Sequence, residues 1–167
     1  MKKGVLSILL GALFITANTT NAYIPKPNPQ EQNNFSLLFI QSAEEVTLKQ
    51  DRKNPDRWTV TLYNVDPDVA YFSDKPRKMA GKVTISDFIE EWNVDNNATL
   101  STPAGSLVTK FSHKNATGSD SERKVILSNP RYNTKKGTLT YDASNPPGKN
   151  NLEEGKHPDP VLFIEKY

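Results

Sequence analysis

The sequence predicts a mainly β protein, a sandwich of about eight strands with one short helix inserted near its middle. Short apolar runs separated by turn residues recur along the chain, a pattern typical of sandwiches. In the run 57–65, Trp58, Val60 and Leu62 occupy alternate positions. This period of two puts them on one face of a strand. A single later stretch has its apolar residues at helical spacing instead.

The first 22 residues have the three-part layout of a secretory signal peptide. Lys2 and Lys3 precede an apolar run over 5–15, and a polar segment then ends at Ala22. An apolar run this short does not span a bilayer, which needs about 20 residues. We therefore expect a bacterial protein exported through the inner membrane, periplasmic or secreted, with no membrane span.

Residues 23–34 are rich in Pro, Asn and Gln, and their alternating prolines predict an extended leader before a single domain over 35–167. Because Lys2 and Lys3 are the only charged residues of 1–22, the 21 basic residues of the chain fall to 19 in the remainder and balance its 19 acidic residues. A neutral domain is a poor match for nucleic acid, so we expect no such partner. The chain has no cysteine, which excludes thiol catalysis.

The apolar runs place eight candidate strands, at 35–40, 46–48, 57–65, 69–72, 106–111, 123–127, 138–143 and 161–164. Asp66-Pro67-Asp68 predicts a turn after the third strand, and Lys135-Lys136-Gly137 predicts a hairpin turn before the seventh. The general build that this order suggests is immunoglobulin-like.

The one predicted helix begins at Thr84-Ile85-Ser86-Asp87, which resembles a capping box with Asp in place of Glu. Ile85, Phe88, Ile89 and Trp92 then form one apolar stripe about two turns long. Such a helix is too short to be stable alone, so we expect it to pack on the sheet. We interpret Trp92 as a core anchor, with ligand stacking as the alternative.

The segment Tyr71-Phe72-Ser73-Asp74-Lys75-Pro76, followed by Gly81 and a helix ending in Trp92, resembles a family of small exported bacterial proteins. Members carry Tyr-Phe-Ser-Asp-x-Pro-x-Arg-x-x-Gly and then a short helix ending in Trp. Lys78 stands at the position of the family's Arg, directly after Arg77. The similarity spans residues 57–165; it implies a shared fold and export, and it implies no reaction.

The candidate ligand-binding residues are Ser73, Asp74, Arg77 and Trp92. Asp74 follows an apolar strand and Arg77 lies three residues further on, so two interpretations stay open. The two side chains form a charge-assisted pair that fixes the loop before the helix, or both face a ligand cleft between the strand end and the helix start.

Asp66, Asp68 and Asp74 are candidate calcium ligands, because calcium takes several oxygen ligands. They lack the spacing of a calcium loop, and Asp66 and Asp68 suit a turn without any metal. The two histidines, His113 and His157, lie in polar surroundings, and we interpret them as exposed loop residues. We expect no bound metal and no cofactor, and no motif assigns a catalytic residue.

The resulting hypothesis is an exported, non-enzymatic binding module that recognises a protein or cell-surface component through the polar loops at 112–122 and 144–160. One alternative is an exported hydrolase or carbohydrate-active protein that uses Asp74 with Asp66 or Asp68. A calcium-binding module is the other alternative.

Overall fold

The computed structural model describes residues 36–75, 77–95, 104–109, 121–150 and 152–166. In chain order, its elements are β1 Leu37–Ser42, β2 Glu45–Gln50, β3 Trp58–Tyr63, β4 Asp68–Ser73, β5 Met79–Thr84, α1 Ile85–Asp95, β6 Ala104–Thr109, β7 Ser121–Asn133, β8 Thr138–Ser144, β9 Gly155–Pro158 and β10 Val161–Lys166. The predicted signal peptide and leader and His113 lie outside the described residues.

The ten strands of the described ranges form one antiparallel sheet, in the order β5-β4-β1-β10-β6-β7-β8-β3-β2-β9. The mainly β prediction with one inserted helix is confirmed, and the strand count is ten rather than about eight. The two strands that the sequence did not show are β5 and β9, the two edges of the sheet. An immunoglobulin-like build is not confirmed.

Three short connectors require this sheet to fold over on itself. The links β1 to β2, β3 to β4 and β9 to β10 each join strands six places apart in the sheet order. In a flat sheet, such strands would lie about 29 Å apart at ~4.8 Å per strand. A connector of two residues, such as 43–44, cannot cover that distance at ~3.5 Å per residue. The strands therefore form two layers, with the connectors at a shared corner.

The backbone ladder continues across this corner. The Glu44 N–H donates to the Tyr63 carbonyl at 3.1 Å and the Asp66 N–H to the Ser42 carbonyl at 2.9 Å. On the other side of the same connector, the Asp159 N–H donates to the Glu44 carbonyl at 2.9 Å. We define the first layer as β5, β4, β1, β10 and β6, and the second layer as β8, β3, β2 and β9.

The long strand β7 joins the two layers on their other side. Its first residues pair with β6, and from Ile126 onwards it pairs with β8, with a bulge between Ser128 and Arg131. Asn129, inside the bulge, has a φ of 53°. Pro130 also lies there, and a bulge is one of the few places where a strand accepts proline. The sequence predicted only 123–127 of this strand.

Aromatic rings of α1 connect the two layers through the core. Phe88 contacts Phe39 of β1 with ring centroids 5.1 Å apart, and it contacts Trp92 at 5.5 Å. Trp92 in turn contacts Tyr141 of β8 at 5.8 Å. These edge and tilted arrangements are the favoured geometries of buried rings. The predicted apolar stripe of α1 is therefore its buried face, and Trp92 lies in the core.

The outer faces of the two layers differ in polarity. In the first layer, register places Phe72 beside Leu38, and Ile40 beside Ala70 and Phe163. Phe72 is 45% exposed. In the second layer, the outer positions are mainly threonine and charged residues, namely Glu45, Thr47, Lys49, Thr59, Thr61, Thr138, Thr140 and Asp142.

Candidate functional site

A polar cleft of about 600 Å³ lies between the 51–57 loop and the outer face of β3, β8 and β7. Thr59 pairs with Asp142, and Asp142 pairs with Ser128, so these three residues share one row across the strands. The loop contributes Asp51, Asn54, Asp56 and Arg57 to the lining, and the remaining lining residues are Trp58, Ile126, Ala143 and Ser144. The volume is in the range of about 300–1,000 Å³ that holds small-molecule ligands.

The 51–57 loop is fixed by its own hydrogen bonds. The Asp51 N–H donates to the Arg57 carbonyl at 2.8 Å, and the Arg57 N–H donates to the Asn54 carbonyl at 2.9 Å. The Asp51 carboxylate accepts from the Lys53 N–H at 2.8 Å, and the Asn54 side chain accepts from the Asp56 N–H at 3.2 Å. These are the side-chain turns that Asp and Asn favour. One wall of the cleft is therefore held in shape without a ligand.

Asp142 is the most strongly held carboxylate of the cleft. The Arg131 Nη2 donates to Asp142 Oδ1 at 2.6 Å, and the Asn129 amide donates to Asp142 Oδ2 at 3.0 Å. Both partners come from the β7 bulge, and the guanidinium also donates to the Asn129 carbonyl at 3.1 Å. The bulge thus aims two donors at one carboxylate, which is how bulges commonly redirect side chains.

This environment keeps Asp142 ionised. The hydrogen bond from Arg131 is the largest cause that lowers the pKa of the Asp142 carboxyl, with Asn129 and the charge of Arg57 adding to it and burial opposing it. The same bond raises the pKa of Arg131. At neutral and mildly acidic pH, Asp142 is therefore a hydrogen-bond acceptor and not a proton donor.

Trp58 borders the cleft at the start of β3, while its side chain belongs to the core on the other face of the strand. Its side chain is 5% exposed, and its indole Nε1 is buried without a hydrogen-bond partner among the described residues. A buried donor of this kind is uncommon, because leaving it unbonded costs about 1–3 kcal/mol.

The candidate residues chosen from the sequence lie elsewhere. Ser73 is buried at the end of β4 and donates to the Lys75 carbonyl at 2.8 Å, so its hydroxyl supports the turn. Asp74 and Arg77 are exposed in the β4–β5 hairpin. Trp92 lies in the core. None of these four lines the cleft of the second layer.

The acidic residues proposed for calcium make turn and surface contacts. Asp66 accepts from the Asp68 N–H at 3.0 Å, which is the predicted turn, and Asp68 lies 3.7 Å from Lys82. Within the described ranges, no group of three or more His, Asp or Glu side chains could hold a metal ion. The same ranges contain no helix with the length and hydropathy needed to cross a membrane.

The prediction that His157 is an exposed loop residue is wrong. It pairs with Val46 as part of β9 and is half-buried. Burial is the largest cause that lowers its pKa; the positive charge of Arg123 acts in the same direction, and Glu153 opposes both. Arg123 is itself 4% exposed and donates to Thr109 at 2.9 Å. His157 is thus held near a buried positive charge in the interior.

The sequence did not reveal the cleft, because the lining residues come from three segments that are far apart along the chain. Only the pairing of β3, β8 and β7 brings these segments together. One signal was present: five of the seven residues from Asp51 to Arg57 are charged, and the other two are Asn54 and Pro55. A charged hairpin loop of this kind is also a common surface feature, so it did not point to a site by itself.

Comparison of the chain with known protein families, with curated proteins and with solved structures finds no match.

Proposed function

We propose that the chain is an exported, non-enzymatic binding module that takes its ligand in the cleft of the second layer. The observation that carries this proposal is the fixed arrangement of Asp142, Arg131 and Asn129 beside a self-bonded loop. Polar groups held in place before binding lose little conformational freedom when the ligand arrives. Ligand sites commonly contain a few precisely placed polar groups, and this cleft supplies such groups.

Export is part of the same proposal. The support is the layout of residues 1–22, with two lysines, a short apolar run and Ala22 at its end. The resemblance to small exported bacterial proteins points the same way. We also propose a general likeness to immunoglobulin-like sandwiches, which carry binding loops between their strands. Expression of the full sequence in a bacterium, followed by mass measurement of the product, should show cleavage before Tyr23. A product that keeps residues 1–22 would contradict export by this route.

The hydrolase alternative is favoured by one observation, namely that Asp51, Asp56 and Asp142 line the same cleft. A carboxylate pair for acid–base catalysis needs one member that stays protonated at working pH. The bond from Arg131 lowers the pKa of Asp142, so Asp142 could serve only as the ionised member of such a pair. Its oxygens already accept from Arg131 and Asn129 at 2.6 and 3.0 Å, which makes it a weak base and suits a fixed acceptor of a binding site better.

The test captures small molecules on the immobilised protein. The protein, as recovered from an exporting bacterial host, is incubated with soluble extract of envelope and growth medium, and bound compounds are eluted and identified by mass spectrometry. The cleft variant is Thr59→Val, which removes one lining hydroxyl and keeps a β-branched shape. The matched control is Thr61→Val, two residues along the same face of β3 but outside the lining.

We expect a compound captured by the native protein and by Thr61→Val, and captured less by Thr59→Val. Equal capture by all three proteins would contradict a ligand in this cleft. Release of the compound as cleaved products would favour the hydrolase over the binding module.

A further inference from the structure

We infer that one end of the β4–β5 hairpin binds the surface of an anionic lipid bilayer. We call this end the β4–β5 tip and define it by Phe72 and Ala80 on the outer face and by Lys75, Arg77 and Lys78 in the turn. The inference does not depend on the cleft, which lies in the second layer. It follows from an exposed apolar side chain, from the charges beside it, and from the position of the acidic residues.

An apolar strip on the outer face of the first layer ends at the β4–β5 tip. Phe72 pairs with Ala80 on one side and with Leu38 on the other. In the described ranges, the exposed large hydrophobic side chains are Phe72 at 45% and Tyr63 at 37%. The next row of the same face contains Ala70, Ile40 and Phe163. Contiguous apolar surface of this kind, unlike a single exposed ring, commonly marks an interaction site.

Basic side chains flank the exposed ring at this tip. The turn that joins β4 to β5 carries one acidic residue, Asp74, and three exposed basic residues, Lys75, Arg77 and Lys78. Apolar area and basic charge together suit an anionic bilayer, since the first enters the headgroup boundary and the second attracts lipid phosphates. The aliphatic stem of a lysine also lies along apolar surface while its ammonium group reaches a charged headgroup.

Acidic side chains of the first layer lie away from the tip. Glu165 is two strands from the exposed phenylalanine in the same row, and Asp68 is at the other end of the hairpin, 3.7 Å from Lys82. The helix α1 packs on the inner side of β4 and β5. Its exposed Asp87 and Glu90 therefore lie on the opposite side of these strands from the apolar strip. The tip can thus approach a negative surface with its basic residues foremost.

The test measures co-sedimentation of the protein with lipid vesicles. The protein is taken from the exporting bacterial host, and the vesicles consist of phosphatidylcholine alone or of an equimolar mixture with phosphatidylglycerol. The tip variants are Phe72→Ser and the pair Lys75→Gln/Lys78→Gln. Thermal unfolding checks that each variant is folded. The lysine pair decides the test alone if Phe72→Ser does not fold.

The matched controls make similar changes on the second layer. Tyr63→Ser removes the other exposed aromatic ring. Lys135→Gln/Lys136→Gln removes two exposed lysines from the turn between β7 and β8, so it changes the net charge as much as the tip pair does.

We expect the native protein to bind the vesicles that contain phosphatidylglycerol, and to bind them less as salt screens the charges. Lys75→Gln/Lys78→Gln should weaken this binding by about ten- to thirty-fold, since each basic side chain near an anionic surface contributes about five-fold. Phe72→Ser should weaken it by about three- to ten-fold through lost apolar contact. Both controls should bind as the native protein does.

Equal binding by tip variants and controls would overturn the inference, as would no binding to the anionic vesicles. A loss in the lysine pair but none in a folded Phe72→Ser would also overturn it, because charge alone would then hold the protein. Light scattering without vesicles tests another occupant. Self-association that Phe72→Ser abolishes would assign this face to a second copy of the chain. The capture experiment on the cleft does not depend on any of these results, so the two proposals fail independently.

Discussion

The hydrogen bond from Tyr141 to Gln41 is the clearest polar contact inside the sandwich. The Tyr141 hydroxyl donates to Gln41 Oε1 at 2.8 Å, and both side chains are almost fully buried. Burial raises the pKa of Tyr141, so the hydroxyl stays protonated and remains a donor. Gln41 Nε2 is buried without a partner among the described residues, so this pair is only partly satisfied.

We predict that Tyr141→Phe lowers the free energy of unfolding by about 1–2 kcal/mol, because it leaves a buried amide oxygen without a donor. The double variant Gln41→Met/Tyr141→Phe should recover most of this loss, since it removes both polar groups together. Urea unfolding of the three proteins measures the difference. A double variant less stable than Tyr141→Phe would show that the Gln41 amide has a further role.

His157 makes the stability depend on pH. Because its pKa in the folded protein lies below its ordinary value of 6.5, the unfolded chain takes up the proton first as the pH falls. The stabilisation is therefore complete well above pH 6.5 and is lost as the pH falls through 6.5 towards the folded pKa. Arg123 and Glu153 are the charged groups that act on this imidazole.

We predict that the free energy of unfolding falls more steeply between pH 7 and pH 5 for the native protein than for His157→Gln. Carboxylates titrate mostly below this window, and subtracting the variant removes the contribution of His113. Urea unfolding at several pH values provides the measurement. If the free energy of unfolding fell in parallel with pH for the two proteins, His157 would have the same pKa in the folded and the unfolded chain.

At the scale of one element, Thr84 caps α1. Its hydroxyl accepts from the Asp87 N–H at 3.1 Å and donates to the Asp87 carboxylate at 2.8 Å. We predict that Thr84→Ala destabilises the protein by about 1 kcal/mol, the typical cost of losing an N-cap. Thr84→Ser keeps the hydroxyl, so it should lose little stability. Thermal unfolding of the two variants measures the difference. An equal loss in both variants would assign the effect to the methyl group instead.

The elements that the sequence predicted are those whose own side chains carry the pattern. The alternation of Trp58, Val60 and Leu62 marked β3, and the stripe from Ile85 to Trp92 marked α1. The edge strands β5 and β9 show no such alternation in sequence, because Gly81 interrupts the row of Met79 and Val83, and Pro158 is the only apolar residue of Gly155–Pro158. They become strands through backbone bonds to β4 and β2.

The candidate site was less accessible to prediction than the fold. Asp142 gains its partners only because the β7 bulge presents Asn129 and Arg131 to β8. Thr59 reaches the same row through the register of β3 on β8. Such contacts depend on pairing between strands far apart in sequence, and local spacing does not encode them.

At the scale of the whole molecule, substitutions of Asn64 test how much the corner between the layers contributes to stability. It has a φ of 47°, and its amide donates to Glu44 Oε2 at 2.7 Å, so it links two of the three connectors. We predict that Asn64→Ala lowers the free energy of unfolding by about 1–2 kcal/mol, because alanine resists a left-handed backbone. Asn64→Gly permits that backbone conformation, so its free energy of unfolding, measured with urea, should fall by less. An equal loss of stability in Asn64→Ala and Asn64→Gly would mean that the effect comes from the lost hydrogen bond to Glu44 and not from the backbone conformation.

The outer and inner faces of the first layer provide a contrast between two phenylalanines. Phe72 is 45% exposed, whereas Phe39 on the neighbouring strand is 2% exposed. We predict that Phe72→Ser changes the free energy of unfolding by less than about 0.5 kcal/mol and that Phe39→Ser costs at least about 3 kcal/mol. Urea unfolding of the native protein and the two variants measures both changes. A large loss in Phe72→Ser would show that this outer face is covered.

The pairing of β1 with β10 sets the order in which the chain can fold. β1 finds one of its two ladder partners in the last strand of the described chain, and β2 finds one of its partners in β9. During synthesis, the first strands emerge long before these partners exist. Pairings this distant along the chain also close slowly. The chain is therefore expected to leave the ribosome unfolded and to remain so for some time, which is the condition in which a polypeptide can be threaded through a narrow translocation pore.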